Sequence, residues 1–296
     1  MAARTITGRH LTLGPEALIT DTPEALADVD LCLVTVKSGD TQAAAHTLAP
    51  LLPPGTPVVS FQNGLRNAAV LRDGGLPGAL AGMVSFNVFR DGDTLVQATS
   101  GPLVVEPSPT HPDRLDTLQR SLTTAGETIH IDPNIEGVQA AKLLLNLNNG
   151  ICALAGVSIA ESLRQRPLRQ SFGACIREGL AIYRASGIAL APAGRLSPRL
   201  IARLLPLPNA IVLRVAPALI DIDPRARSST LQDLEAGKAT EIDMLNGELV
   251  RLARLIHLPC PINSWVVEQI HRLEGMGLPI AHLPPGLVWG AIRARH

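Results

Sequence analysis

Over residues 1–134 short apolar runs alternate with stretches of helical spacing, and beyond them the sequence turns helical. This alternation constrains the fold more than any other feature. Leu31–Val36 reads as a buried strand, an alanine-rich helix follows over 39–49, and Pro57–Phe61 reads as a second strand. A helix is expected over Leu65–Arg72, then a strand over Ala79–Phe89 whose turn Arg90-Asp91-Gly92 opens a hairpin into Thr94–Ala98. Leu103–Glu106, a helix over 111–124 and a short strand at 128–131 complete the pattern, which argues for a doubly wound α/β sheet. Asp132-Pro133-Asn134 is turn chemistry and divides an α/β domain, 1–134, from an all-helical domain, 135–296. In the second part Gln139–Leu154, Pro167–Ser186, Leu196–Leu205, Glu241–Ile256 and Pro261–Leu273 carry apolar residues three or four apart. Pro206, Pro208, Pro217, Pro224, Pro259 and Pro261 punctuate the connections. A cleft between two such domains is the default ligand site.

Composition narrows the function classes. A net charge of zero and 2% aromatic residues provide neither a basic field nor stacking platforms for nucleic acid. No apolar run reaches the length of a membrane span, and the first residues lack the apolar core of a signal peptide. Cys32, Cys152, Cys175 and Cys260 are isolated in apolar sequence, which reads as reduced, buried thiols of a cytoplasmic protein. With no Cys-x-x-Cys motif and scattered histidines, no metal site is expected.

Lysine is used at only three positions, Lys37, Lys142 and Lys238, against a large excess of arginine. Lys142 opens Lys-Leu-Leu-Leu-Asn146-Leu-Asn-Asn149-Gly150. At about 100° per residue, Asn146 lies about 40° from Lys142 and Asn149 about 20° to the other side, while Asn148 points away. The three form one polar stripe on an apolar helix, which must face water, a partner or a ligand. An ammonium that protonates an oxygen and amides that orient its owner are what a carbonyl-binding site needs. Lys37 ends the strand of Val34-Thr-Val-Lys37-Ser-Gly-Asp-Thr41, where open α/β sheets bind ligands, and Phe61-Gln-Asn63-Gly64 ends another. Near the C-terminus, Ser228-Ser229-x-Leu231-Gln232-Asp233 precedes Thr240-Glu241-Ile242-Asp243-x-x-Asn246-Gly247. Taken alone this is a polar loop before a helix whose core stripe is Ile242, Leu245, Leu249, Leu252 and Leu255, with Asp243, Asn246 and Glu248 off the stripe. Glu241 falls in the first turn, where the helix dipole favours a carboxylate.

The C-terminal block and the Lys-Leu-x-x-Asn pattern resemble the ketopantoate reductase (2-dehydropantoate 2-reductase) family. The resemblance covers nearly all of the chain and implies a Rossmann-like N-terminal domain, lacking its first β-α unit, and an all-α C-terminal domain for substrate and dimerisation. It implies NADPH-dependent reduction of 2-dehydropantoate, or a similar small 2-oxo acid, with a homodimer possible and no nucleic-acid or membrane partner. Lys142 would be the general acid and Glu241 the acidic residue near the nicotinamide. Asn63, Asn146, Asn149 and Ser229 would bind substrate; Lys37, Asn63, Val88 (through its backbone) and Glu241 would meet the cofactor. The family often has a further asparagine where Gly150 stands, and Asn149 is expected to take that role. Ser228, Asp233 and Asp243 are expected to be structural. Two alternatives stay open: a relative acting on another 2-oxo or 3-oxo acid, which Gly150 favours, and a non-catalytic remnant that binds an acid or a partner.

The remnant is favoured by an absence. No Gly-x-Gly-x-x-Gly occurs in the 296 residues, although its backbone normally cradles the dinucleotide pyrophosphate at a helix N-terminus. Aligned by motif, the chain starts after the family's first β-α unit, so either the start lies upstream or ordinary dinucleotide binding is lost. These residues by themselves are therefore expected to bind NADPH weakly. Calorimetric titration checks this: binding clearly weaker than micromolar is expected, and micromolar affinity contradicts it.

Overall fold

The structure, a computed structural model, describes residues 2–12, 14–97, 99–191, 197–215 and 226–295. Ala98, Leu196, Pro217 and Pro224, which the sequence reading uses, lie outside them. The chain divides into two units, Met1–Gln139 and Ala140–His296, with the division inside a helix rather than at the Asp132–Asn134 turn.

In the first unit β1 (Ala2–Arg4) and β2 (His10–Thr12) precede β3 (Cys32–Val34), α1 (Thr41–Leu48), β4 (Val58–Ser60), α2 (Asn67–Asp73) and β5 (Ala79–Val84). Then come β6 (Val88–Asp91), β7 (Thr94–Gln97), β8 (Leu103–Val105), α3 (Pro112–Thr124) and β9 (Ile129–Ile131). Five strands form a sheet in the order β3-β4-β5-β8-β9; β3, β4 and β5 run parallel, β8 is antiparallel to β5, and β9 is parallel to β8. The two-residue period of the strands sends side chains to two separate cores. Cys32, Val34, Val58 and Ala79 pack with Ala45 and Leu48 of α1 and Leu71 of α2. Val59, Leu80, Leu103, Val105 and Ile129 pack with Leu115 of α3. Helices thus cover both faces, as the alternation in the sequence requires.

Two strand expectations need correction. Leu31–Val36 is not wholly buried: Leu33 and Val36 are 43% and 41% exposed, because β3 is the last strand of this sheet among the described residues. The strand expected over Ala79–Phe89 is two strands in two sheets. The chain leaves β5 at Ser85, where Thr99 Oγ1 accepts the Asn87 N–H at 2.8 Å, and β6 pairs with β7 in the sheet β2-β1-β7-β6.

The second unit is helical among its described residues. α4 (Ile135–Asn146), capped by Asn134 Oδ1 accepting from Gly137 N at 3.2 Å, leads into α5 (Asn148–Ala155), α6 (Ile159–Arg164) and α7 (Arg166–Ala185). α8 (Pro198–Leu204), α9 (Asn209–Val215), α10 (Ser229–Glu235), α11 (Asn246–Leu255), α12 (Pro261–Met276) and α13 (Pro285–Arg293) follow. α7 packs against α5, α6, α8, α11, α12 and α13. Small residues along it permit this: a Cβ at Gly179 would lie 2.5 Å from Leu144 Cδ2 and 2.9 Å from Leu249 Cδ1.

The helix expected over Gln139–Leu154 starts at Ile135 and is interrupted at Leu147, among asparagines that compete for backbone hydrogen bonds. Leu147 keeps helical dihedrals (φ −59°, ψ −21°), so the direction of its faces is nearly preserved. The helix expected over Glu241–Ile256 breaks more sharply. A 3-10 turn, Ile242–Met244, ends at Leu245 (φ −108°, ψ −97°), and α11 restarts at Asn246. The restart rotates the stripe: Ile242, Leu245 and Leu249 are buried, but Leu255 is 64% exposed, and Asn246 and Glu248, expected outside, are buried.

Arg169 of α7 is 1% exposed and is held by neutral acceptors. Its guanidinium donates to the carbonyls of Leu205 (3.0 Å), Leu163 (3.0 Å), Arg164 (3.1 Å) and Leu207 (2.9 Å) and to Asn209 Oδ1 (2.7 Å). The planar fork caps the carbonyl ends of α6 and α8 together, where helix dipoles favour a cation. Arg169→Met should destabilise the protein by about 3 kcal/mol or more, because several buried carbonyls lose their donors, and Arg169→Lys should not restore it. Urea unfolding measures both.

Candidate active site

The residues singled out in the sequence fall into two local clusters. In the first unit, Lys37 ends the β3 segment, exposed, and Asn63 follows β4, half-buried. Beneath them lies a buried polar network. Gln62 Nε2 donates to Val36 O (2.9 Å) and Thr41 Oγ1 (2.8 Å), and Gln62 Oε1 accepts from Ser60 Oγ (2.8 Å). Thr41 Oγ1 has Ser38 O and Asn67 Oδ1 both at 2.9 Å for its single proton, and Ser38 Oγ donates to Asn63 O at 2.8 Å. The network ties the carboxyl ends of two parallel strands to the starts of α1 and α2, fixing the loops that carry Lys37 and Asn63. Val88 stands apart from them, 49% exposed, as the first residue of β6 in the other sheet.

In the second unit, Lys142, Asn146 and Asn149 are all half-buried, whereas Asn148 is buried and donates to Ser162 Oγ at 2.9 Å. Asn149 Nδ2 donates to Ser229 Oγ at 3.3 Å, and Asn149 O accepts from Ser228 Oγ at 3.2 Å. Ser228 also caps α10 through Leu231 N, and Ser229 is exposed at the first position of that helix. In the sequence flanking Lys142, Ala141, Leu143, Leu144 and Leu147 are buried. Burial pushes the Lys142 ammonium down to about 8, and the Glu241 carboxylate acts in the opposite direction. An ammonium near this value both holds and releases a proton close to neutral pH. Glu241 is half-buried and immediately precedes the 3-10 turn Ile242–Met244, with no capping hydrogen bond from its side chain; it is not in the first turn of α11, because of the break at Leu245. No group of three or more His, Cys, Asp or Glu able to hold a metal occurs among the described residues.

The sequence profile of ketopantoate reductase PanE/ApbA matches residues 5–109, and the profile of its C-terminal domain matches residues 134–274. The chain belongs to the ketopantoate reductase family. That family is the family of 2-dehydropantoate 2-reductase, an NADP-dependent oxidoreductase acting on a CH–OH group. A 2-dehydropantoate 2-reductase of Shigella flexneri is 28% identical over 271 residues, 89% of this chain and 82% of that protein. The crystal structure of a PanE/ApbA family ketopantoate reductase from Ralstonia eutropha JMP134 is similar with a TM-score of 0.76 and 27% identity, covering 93% of this chain and 85% of that one. A D-mandelate dehydrogenase, solved with NADH and anilino(oxo)acetate, shares the fold at a TM-score of 0.73 and 17% identity, with the same coverage of both chains.

Within the helical unit, Gly150 has a packing role. A Cβ there would lie 2.7 Å from Val266 Cγ1 and 3.3 Å from both Asn246 Oδ1 and Ile242 Cδ1, so a glycine lets α5 approach α12 and the turn that follows Glu241. Asn246 Nδ2 donates to Asn263 Oδ1 at 2.9 Å, and Asn263 Nδ2 donates to Glu178 Oε2 at 2.7 Å. Glu178 in turn accepts from the backbone of Ile262 (2.9 Å) and Asn263 (2.8 Å), holding the N-terminus of α12. The sequence reading missed Gln62, Asn67, Asn263 and Glu178. Their only available signal was the cost of burying polar groups on otherwise apolar elements.

Proposed function

We propose that this chain reduces a small 2-oxo acid, 2-dehydropantoate in the first instance, to the 2-hydroxy acid with NADPH. Lys142 carries the reading: a half-buried ammonium, lowered to about 8, beside a carboxylate and on one helix line with two carboxamides. Chemically, reduction of a ketone needs a hydride on carbon and a proton on oxygen as the C=O π bond breaks. NADPH, when bound, supplies the hydride. Lys142 Nζ donates the proton and is left as a neutral amine, which regains a proton from solvent. Glu241 opposes the effect of burial and keeps the ammonium charged before the transfer. Asn146, Asn149 and Ser229 supply hydrogen-bonding groups for the acid, and the contact between Asn149 and Ser229 pre-orients two of them.

For the cofactor, the exposed ammonium of Lys37, the carboxamide of Asn63 and the Glu241 carboxylate are the side chains assigned. The buried network under Lys37 and Asn63 supports that assignment, since it sets the loops at strand carboxyl ends where such sheets bind nucleotides. Val88 would take part through its backbone. Gly150 favours a second reading, in which the acid differs from 2-dehydropantoate. The space an asparagine would need at that position is filled by Val266, Ile242 and Asn246, so the carboxamide set differs from the family's common one.

Turnover with NADPH in excess tests the assignment. Lys142→Ala is expected to lower kcat by roughly 10²–10⁴-fold, and Lys142→Arg should not rescue it, because a guanidinium gives up its proton too reluctantly. The acid must be protonated to act, so kcat should be full below about pH 8 and fall as pH rises through that value. Near-normal turnover in either variant removes Lys142 from the role, and a kcat that rises through that region contradicts its action as an acid.

A further inference from the structure

We propose that His271 is a positioning residue for Glu241: with Glu274 it clamps the residues on either side of that carboxylate and so fixes where it stands relative to Lys142. The inference deepens the reading of the site given above. Its basis is a set of bonds on the outer side of α12. His271 Nδ1 lies 2.7 Å from Glu274 Oε2, and His271 Nε2 lies 3.1 Å from Asp243 Oδ1. Two carboxylates facing both ring nitrogens are satisfied together only by the imidazolium, which donates from each. The other oxygen of Glu274 accepts the backbone N–H of Thr240 at 2.8 Å. Thr240 and Asp243 bracket Glu241, so one side-chain pair on α12 grips the segment before and after it.

The opposite side of the segment is held as well. Ile242 is fully buried against the bare backbone of Gly150, and Asn246 is tied through Asn263 to Glu178. Ile242 anchors the segment from inside, and the His271–Glu274 pair prevents it from rolling about that anchor. A turn whose last residue, Leu245, lies outside helical dihedrals cannot rely on a regular helix to keep Glu241 in place. The charge state agrees with this. Burial works against the imidazolium, yet the hydrogen bonds and charges of Glu274 and Asp243 outweigh it and raise His271 above its ordinary value. Burial would likewise raise Glu274, but the Thr240 N–H and His271 bring it below the usual carboxylate range.

Three lysines make the test direct, because the full chain grown with 13C-labelled lysine gives three side-chain resonances to follow by NMR. The signal missing in Lys142→Ala is Lys142, and its titration reports how closely the Glu241 charge approaches, with neither cofactor nor substrate present. Glu241→Gln should move the Lys142 midpoint downward. His271→Ala and Glu274→Ala should move it in the same direction, with native circular dichroism, and His271→Ala in the Glu241→Gln background should add nothing. The proposal is overturned if His271→Ala and Glu274→Ala leave the midpoint where the unaltered chain has it. It is equally overturned if the shift from His271→Ala adds to that of Glu241→Gln, since His271 would then act through its own charge, or if Glu241→Gln has no effect. Absence of reductase turnover beside the expected titrations would sink the proposed function and leave this inference standing.

Discussion

An ammonium loses most of its hydration when apolar side chains close around it, and only a nearby carboxylate or hydrogen-bond acceptors keep the charge there. Lys142 is in this situation. Burial lowers its ammonium to about 8, a net value in which the nearby charge of Glu241 already opposes the loss of hydration. Several packing contacts of the helical unit fix the segment that follows Glu241. Gly150 admits Ile242, and the chain from Asn246 to Glu178 holds the start of α11 against α12.

Two interruptions of helix have opposite consequences. At Leu147 the dihedrals stay helical, so Lys142, Asn146 and Asn149 keep one half-buried side and Asn148 turns inward to Ser162. At Leu245 the dihedrals depart from the helix, and the segment before it becomes a separate turn with Glu241 at its start. The first break preserves a polar stripe; the second leaves a short turn, Ile242–Met244, held by side chains on both sides. A carboxylate on such a turn depends on its neighbours for its position more than one on a continuous helix would.

These interruptions also explain how far the sequence could be read. Strand–helix alternation led to the two-faced sheet, in which Val58 and Val59, adjacent in sequence, enter different cores. The Lys142 stripe was legible because helical spacing survives the break at Leu147. The burial of Asn246 and Glu248 was not, since one residue with φ −108° and ψ −97° rotates everything after it, and spacing carries no sign of that. The division of Ala79–Phe89 between two sheets turned on a side-chain acceptor, Thr99 Oγ1, supplied from twelve residues away. The network of Ser38, Thr41, Gln62 and Asn67 has no periodic signature, because loop and strand-end residues meet through topology. Their place at strand ends pointed to Lys37 and Asn63, whereas only the resemblance of the motifs pointed to Val88.

The central claim is that the chain moves a hydride to a 2-oxo acid while Lys142 supplies the proton. Incubation of 2-dehydropantoate with NADPH deuterated at the transferable position, followed by mass spectrometry of the acid, tests it most directly. The account predicts a 2-hydroxy acid carrying one deuterium on its C2 carbon with the unaltered chain, and almost none with Lys142→Ala. Recovery of only unlabelled 2-oxo acid with the unaltered chain, or equal labelling by both proteins, would contradict it.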